Sequence, residues 1–179
     1  MRKIVAGLFI SLDGVVEAPE TWHFPYFNDE MGDAVQSMMA GSDAMLLGRR
    51  TYEEFAAHWP TSTDDFADFM NGTQKYVVSN TLTTADWQNS TLISGDVVKE
   101  LTLLKEQPGG NLSTTGSGTL VASLLREGLV DELHLLLHPI VVGTGKRIFD
   151  DGSQVPLRLT SSTTFSTGVL HLTYERAES

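Results

Sequence analysis

Cysteine does not occur anywhere in the 179 residues, which excludes a disulfide framework, a thiolate nucleophile and any cysteine-based metal site. Basic residues are also few, 12 Lys and Arg against 23 Asp and Glu. The resulting formal charge of −11 argues against nucleic acid as a partner, because phosphate backbones are held by clustered cations that release counterions. No apolar run approaches the roughly 18 residues that a membrane span needs. The apolar stretch after Met1-Arg2-Lys3 has the look of a leader, but it stops at Ser11-Leu12-Asp13-Gly14 without a small-residue cleavage site. It reads instead as a first strand. These deficits predict one soluble, cytoplasmic domain over residues 1–179, long enough to bury its own core.

What is present alternates in character. Residues 3–10 form an almost continuous apolar run, the pattern of a strand covered on both faces in a largely parallel sheet. Residues 44–47, 76–78, 91–93 and 133–137 have strand length and composition as well. Helical periodicity falls between them, over residues 29–39, 52–58, 97–105 and 119–127, the last with Leu120, Leu124 and Leu125 on one face. Asp96 is placed as an N-cap and Gly128 as the glycine that ends a helix. Alternating strands and helices predict an α/β fold. Residues 157–165 and 169–175 bracket Ser166-Thr167-Gly168, which predicts a closing antiparallel hairpin. Residues 60–65 and 142–155 read as surface connections.

Three strand ends carry residues suited to a ligand. In Leu46-Leu47-Gly48-Arg49-Arg50-Thr51-Tyr52-Glu53-Glu54 a strand passes through glycine into a helix. Thr51 and Glu54 have the spacing of a capping box. The same segment also offers a positive helix end and two guanidinium groups to a phosphate. In Thr114-Thr115-Gly116-Ser117-Gly118-Thr119-Leu120 small residues would let a phosphate approach backbone amides, or would simply make a flexible turn. The segment lacks the lysine of a P-loop and the third glycine of a Rossmann fingerprint. In Val77-Val78-Ser79-Asn80-Thr81 a strand ends in short polar side chains. Open α/β sheets bind ligands at the carboxyl ends of their strands, so the three junctions are expected to converge on one extended ligand.

The order of these motifs resembles a known family. Ser11-Leu12-Asp13-Gly14, Leu47-Gly48-Arg49-Arg50-Thr51-Tyr52-Glu53, Ser79-Asn80-Thr81-Leu82, Gly116-Ser117-Gly118, Gly128-Leu129-Val130-Asp131-Glu132-Leu133 and Pro139-Ile140-Val141-Val142-Gly143-Thr144-Gly145-Lys146 are similar to the reductase (RibD-type C-terminal) domain of the bifunctional riboflavin-biosynthesis deaminase-reductase. They are closer still to its stand-alone relatives in the dihydrofolate-reductase superfamily, and the likeness covers nearly the whole chain. It implies a three-layer fold with a mostly parallel sheet, an antiparallel C-terminal hairpin and an NADPH site along the carboxyl edge. Carried over by residue, Gly48, Arg49 and Thr51 match the segment at the 2′-phosphate and diphosphate, with Arg50 as an added contact. Ser79, Asn80 and Thr81 match the adenosine-side wall. Gly116, Ser117, Gly118, Thr119 and Leu120 match the diphosphate loop, and Ala6 and Gly14 the nicotinamide side. Arginines at the 2′-phosphate favour NADPH over NADH. The resemblance further implies a homodimer, with strand 133–137 offered as lying near its interface.

The implied reaction is reduction of a small heterocyclic or ribosylated substrate, the aminouracil intermediate of riboflavin synthesis being the family's named one. Asp13 is the first candidate for substrate contact, against its reading as a turn-forming Asp-Gly. Trp22 and Phe24, with Tyr26 and Phe27, could line a pocket for a flat ring or pack as core. Folate-reducing members carry an acid on the first helix. Here Gly32 holds the equivalent position, which weakens a dihydrofolate reductase, and a non-catalytic NADPH-binding protein is the other alternative. His134 and His138 sit four apart in a strand-like run without the helix and glutamate of a zincin, so no metal site is expected. No serine has nucleophile-elbow spacing.

Overall fold

The computed structural model describes residues 1–150 and 152–177. Eight strands form one sheet in the order β4-β3-β2-β5-β1-β6-β8-β7. They are β1 (Ile4–Ser11), β2 (Ser42–Gly48), β3 (Gln74–Val78), β4 (Ser90–Ile93), β5 (Asn111–Thr115), β6 (Glu132–His138), β7 (Leu157–Thr164) and β8 (Leu170–Arg176). The first six pair in parallel; β8 runs antiparallel to β6 and β7 antiparallel to β8. Helices α1 (Asp29–Met39), α2 (Arg49–His58), α3 (Ala67–Gly72), α4 (Val97–Glu106) and α5 (Gly118–Arg126) connect them. This is the α/β architecture that the alternating pattern predicts, closed by the predicted hairpin.

The connections leave the sheet in two directions. From β2 the chain moves through α2 outward to β3, whereas from β5 it moves through α5 across β1 to β6. Right-handed crossovers then put the two sets of helices on opposite faces, and the side chains agree. Ile4, Ala6, Leu8 and Ile10 of β1 pack with Leu101 and Leu104 of α4 and Leu120, Val121 and Leu124 of α5. On the other face Met31, Ala34 and Met38 of α1 pack with Phe9, Leu136 and Phe165, and Tyr52 of α2 packs with Met45, Leu47 and Val77. Both faces are therefore covered, which is why β1 reads as a continuous apolar run.

Two elements escape the hydrophobic pattern, β5 and α3. The strand offered as lying near a dimer interface, β6, is interior, flanked by β1 and β8 with Leu133 and Leu136 buried; the free edge on that side is β7. The predicted surface connection over 142–155 is irregular in its described residues, position 151 lying outside them. Local chemistry at helix ends follows expectation at two sites. The Asp96 carboxylate accepts from the Lys99 amide at 3.1 Å. Gly128, at φ +69°, ends α5 while the Leu129 amide donates back to the Leu124 carbonyl.

Candidate functional site

Adjacent strands whose connections depart in opposite directions leave a crevice at their carboxyl ends, and here those strands are β2 and β5. Two of the three motif junctions meet there. The Ser117 hydroxyl accepts from the Gly48 amide at 3.0 Å, and the Thr51 hydroxyl accepts from the Ser117 amide at 3.1 Å. These reciprocal bonds hold the starts of α2 and α5 side by side.

The second bond corrects the capping box. Helix α2 begins at Arg49 with Gly48 as its N-cap and no side-chain cap, so Thr51 already lies inside the first turn. Its hydroxyl reaches across to the neighbouring loop instead. With no side chain closing them, the first-turn amides of α2 face the crevice without intrahelical partners. Helix α5 is similar: its N-cap, Ser117, has φ +49° and makes no side-chain cap, and its first helical bond is Val121 N–H to the Ser117 carbonyl. Gly116 has φ +68°, and a Cβ on Gly118 would stand 2.9 Å from Val16. Gly116 and Gly118 thus place no side chain over this loop, and the two helix amino ends lie side by side. Such a donor set, amides and dipoles of one sign, fits a phosphate or diphosphate.

Cations surround it. Arg49 and Arg50 are exposed at the start of α2, Arg49 in an i,i+4 pair with Glu53 at 3.2 Å. Lys146 reaches over from the 142–148 segment and donates from Nζ to the Thr119 hydroxyl at the start of α5. This lysine stands within a motif that the sequence shows, yet nothing in its spacing ties it to Thr119, 27 residues earlier. Leu120 is buried beneath the loop and Ala6 is wholly buried inside β1, in register with Thr114 and Leu133.

The third junction extends along the same edge. After β3, Ser79 is buried and its hydroxyl accepts from the amides of Thr81 and Leu82 at 3.2 and 3.1 Å. The exposed Asn80 accepts from the Gly95 amide at 2.7 Å and ties the end of β3 to the start of α4's connection. Both short side chains shape the turn, as turn residues do.

On the far side of β5 the loop after β1 is braced by the segment after β6. Leu12 N–H donates to the Ile140 carbonyl, Val16 N–H to the Lys146 carbonyl, and Val15 bridges to Arg147. Gly14, at φ +85°, makes the turn. Both Asp13 oxygens are engaged: by the Ser11 hydroxyl at 2.6 Å, the amides of Val142 and Gly143 at 3.0 and 2.9 Å, and Arg147 at 3.3 Å. The Ser11 hydroxyl first, and then the two amides, hold this carboxyl well below the usual carboxylate range. A carboxyl held in this way is biased toward its ionised form, which does not suit a proton donor.

Beside this loop the aromatic candidates part company. Trp22 is buried, with its indole N–H on the Glu17 carbonyl at 3.2 Å and its ring edge-on to His138 at 5.1 Å. Phe24 is 63% exposed. His138, last in β6 and in register with Ser11, is fully buried among Phe9, Trp22, His23 and Tyr26. On α1, Asp29 and Glu30 belong to the first turn, and Glu30 is bound by Ser166 and Asn28. Gly32 follows the buried Met31 on α1, and the next acid along the helix, Asp33, is exposed.

Comparison with known proteins accords with this geometry. Residues 2–171 match the RibD C-terminal domain. An uncharacterized protein of Bacillus subtilis (strain 168), YyaP, is 29% identical over 182 residues, covering 97% of this chain and 94% of its own. Among solved structures, a putative riboflavin biosynthesis protein from Shewanella sp. PV-4 superposes with a TM-score of 0.81 at 22% identity, over 99% of this chain and 100% of the other. Dihydrofolate reductase from Enterococcus faecalis, complexed with NADP(H), gives 0.65 at 14% identity, over 98% and 97%. The two structures establish the dihydrofolate-reductase-like fold, and the match over residues 2–171 places the chain in the RibD C-terminal domain family.

Proposed function

We propose that this protein is an NADPH-dependent reductase of a small heterocyclic or ribosylated substrate, of the 5-amino-6-(5-phosphoribosylamino)uracil reductase type. The observation that carries the reading is the pair of helix amino ends, α2 and α5, cross-linked through Gly48, Thr51 and Ser117 and flanked by Arg49, Arg50 and Lys146. In a chain of net charge −11, a local cluster of three cations around bare amides is suited to a small polyanion. Membership of a reductase-type family supports the oxidoreductase class.

In this reading the amides of Gly118, Thr119 and Leu120 and the Lys146 ammonium hold the diphosphate, and Arg49 with Arg50 holds the 2′-phosphate. Ser79, Asn80 and Thr81 wall the adenosine. The Asp13 clamp fixes the Gly14 loop beside the nicotinamide, and Trp22 and Phe24 flank the substrate. NADPH, when bound, supplies a hydride. The chain's own contribution is orientation, with the ring-lined face beside β1 and β6 excluding water. A cytoplasmic homodimer belongs to the same proposal; its support is the exposed Leu159 and Phe149 near the free β7 edge, and light scattering of the purified protein tests it.

Titration of the purified protein with NADPH and NADH by calorimetry is the direct test. Arg49→Ala should weaken NADPH by about 1.5–3 kcal/mol, the worth of a charge-assisted contact, and leave NADH almost unchanged. Equal losses for the two nucleotides would remove the 2′-phosphate from Arg49.

A further inference from the structure

At the opposite, amino edge of the sheet lies a cavity of about 300 Å³ that the reductase reading does not use. The carboxyl end of α1, at Ser37, Met38 and Ala40, roofs it, and His134 and His171 stand in its wall. These histidines are 37 residues apart in sequence but occupy neighbouring antiparallel strands, β6 and β8. His134 Nδ1 and His171 Nε2 face each other at 2.8 Å, and His134 Nε2 lies 2.7 Å from Glu132 Oε1. The Thr173 hydroxyl is 3.3 Å from the same His134 Nδ1.

A carboxylate only accepts, so His134 donates from Nε2 to Glu132 and its Nδ1 carries a lone pair directed at His171. One proton between the two rings completes the chain. This is the arrangement that orients a metal-bound imidazole: a carboxylate behind the ring fixes the tautomer and raises the basicity of the other nitrogen. Ligand nitrogens stand about 2.0–2.1 Å from zinc, which sets two of them roughly 3.3 Å apart in a tetrahedral site. Opening the present contact by about half an ångström and turning both rings about their side-chain torsions, so that the two lone pairs converge beside the line joining the nitrogens, lets an ion take the place of the shared proton, which is released to solvent. Among the described residues no three His, Asp or Glu side chains converge on one point, so the ion would have two protein nitrogens and complete its shell from Thr173 and water in the cavity. The α1 carboxyl end adds partial negative charge nearby, and the whole chain is acidic. Lys3 and the Met1 amino group stand at the rim and oppose it.

We infer that His134 and His171, held by Glu132, form a two-histidine site for a divalent transition-metal ion on the sheet edge remote from the Gly48–Ser117 crevice. The inference stands apart from the nucleotide reading, because binding is measured without nucleotide.

Untagged, chelator-treated protein titrated with Zn²⁺, in competition with a chromophoric chelator, tests it. The expected result is one ion per chain, a metal-induced rise in melting temperature, and loss of both in His134→Ala. Glu132→Gln should weaken Zn²⁺ by about 10–100-fold, the usual effect of removing the group behind a ligand. Should His134→Ala fail to fold, the half-buried His171→Asn replaces it, with melting in chelator reporting its folding. His58→Ala, remote from the cluster beside Asp64, should bind as the parent does. No binding by the parent protein, or undiminished binding by His171→Asn, would overturn the assignment, the latter showing an adventitious ion only.

Discussion

Ser117 makes two demands that oppose each other. Its hydroxyl accepts from the Gly48 amide, yet its backbone sits at φ +49°, where a residue with a Cβ is strained by roughly 1–2 kcal/mol. Glycine would relieve the strain and lose the hydrogen bond, worth about 0.5–1.5 kcal/mol; alanine would lose the bond and keep the strain. Ser117→Gly should therefore be less destabilising than Ser117→Ala by about 1 kcal/mol, as read from urea midpoints at constant slope. Both should loosen NADPH if the α2 and α5 amino ends bind it jointly, because one of the two bonds that align them is gone and only the Ser117 amide to Thr51 remains. Asp13→Asn separates holding from chemistry in the same spirit. An amide keeps one acceptor for the Val142 and Gly143 amides but cannot satisfy all four contacts, so nucleotide affinity should fall. A fall in turnover with affinity intact would instead return Asp13 to the substrate.

At the level of elements, legibility followed the hydrophobic pattern. β1, β6, α1 and α5 carry enough apolar residues at strand or helix spacing to be seen in the sequence. β5 does not: Asn111-Leu112-Ser113-Thr114-Thr115 holds one large apolar residue, although it lies at the centre of the sheet with Ser113 and Thr114 buried. Its neighbours on both sides supply the ladder that its own composition does not announce. Helix α3 was equally silent, since six residues are too few for a period to emerge. The crevice was legible as three separate strand ends; that Thr51 bonds Ser117 and Lys146 reaches Thr119 depends on tertiary proximity alone. Lys75, at the start of β3, is another such case. It is fully buried, donates to the carbonyls of Met70, Asn71 and Thr73 at the end of α3, and stands 4.1 Å from the Trp87 ring. Burial pushes its ammonium down to about 8 from 10.5. Between those values the unfolded chain binds more protons than the folded one, so this group makes stability rise with pH across that window. Lys75→Met should flatten the rise, by at most about 1.4 kcal/mol per pH unit, in urea titrations at pH 8 and 10. An identical slope in the variant would show that the three carbonyls hold the charge without cost.

Across the whole molecule, acid acts through three terms that separate by pH. Lowering the pH from neutral reduces the charge of −11 toward zero near the sequence pI of 4.7, which relieves self-repulsion and by itself stabilises the fold. Asp13 and Glu30 have carboxyls held below their ordinary values by hydrogen bonds. Their contribution is present above the unfolded value and fades only as the pH falls below about 4. His23 and His138 work in the interval between. Burial lowers both from 6.5, with their mutual proximity adding to the effect at His23 and Glu20 opposing it there, while the carbonyls of Leu136 and Ile10 oppose it at His138. Neither His23 Nδ1 nor His138 Nε2 has a partner among the described residues. A proton taken up in the unfolded chain but refused in the folded one shifts the balance toward unfolding, so stability should decline as the pH drops below about 6.5. The sign is opposite to that of the charge term, which makes the 6.5 to 5 window diagnostic. Urea midpoints should fall across it in the parent protein and fall less steeply, stay level or rise in His23→Phe/His138→Leu, where relief of repulsion is opposed only by His171, whose imidazole is also held below its ordinary value by burial and by the neighbouring His134. A parent midpoint that holds steady while the variant's does too would mean that the aromatic cluster around His138 opens to water readily enough for both rings to be protonated in place.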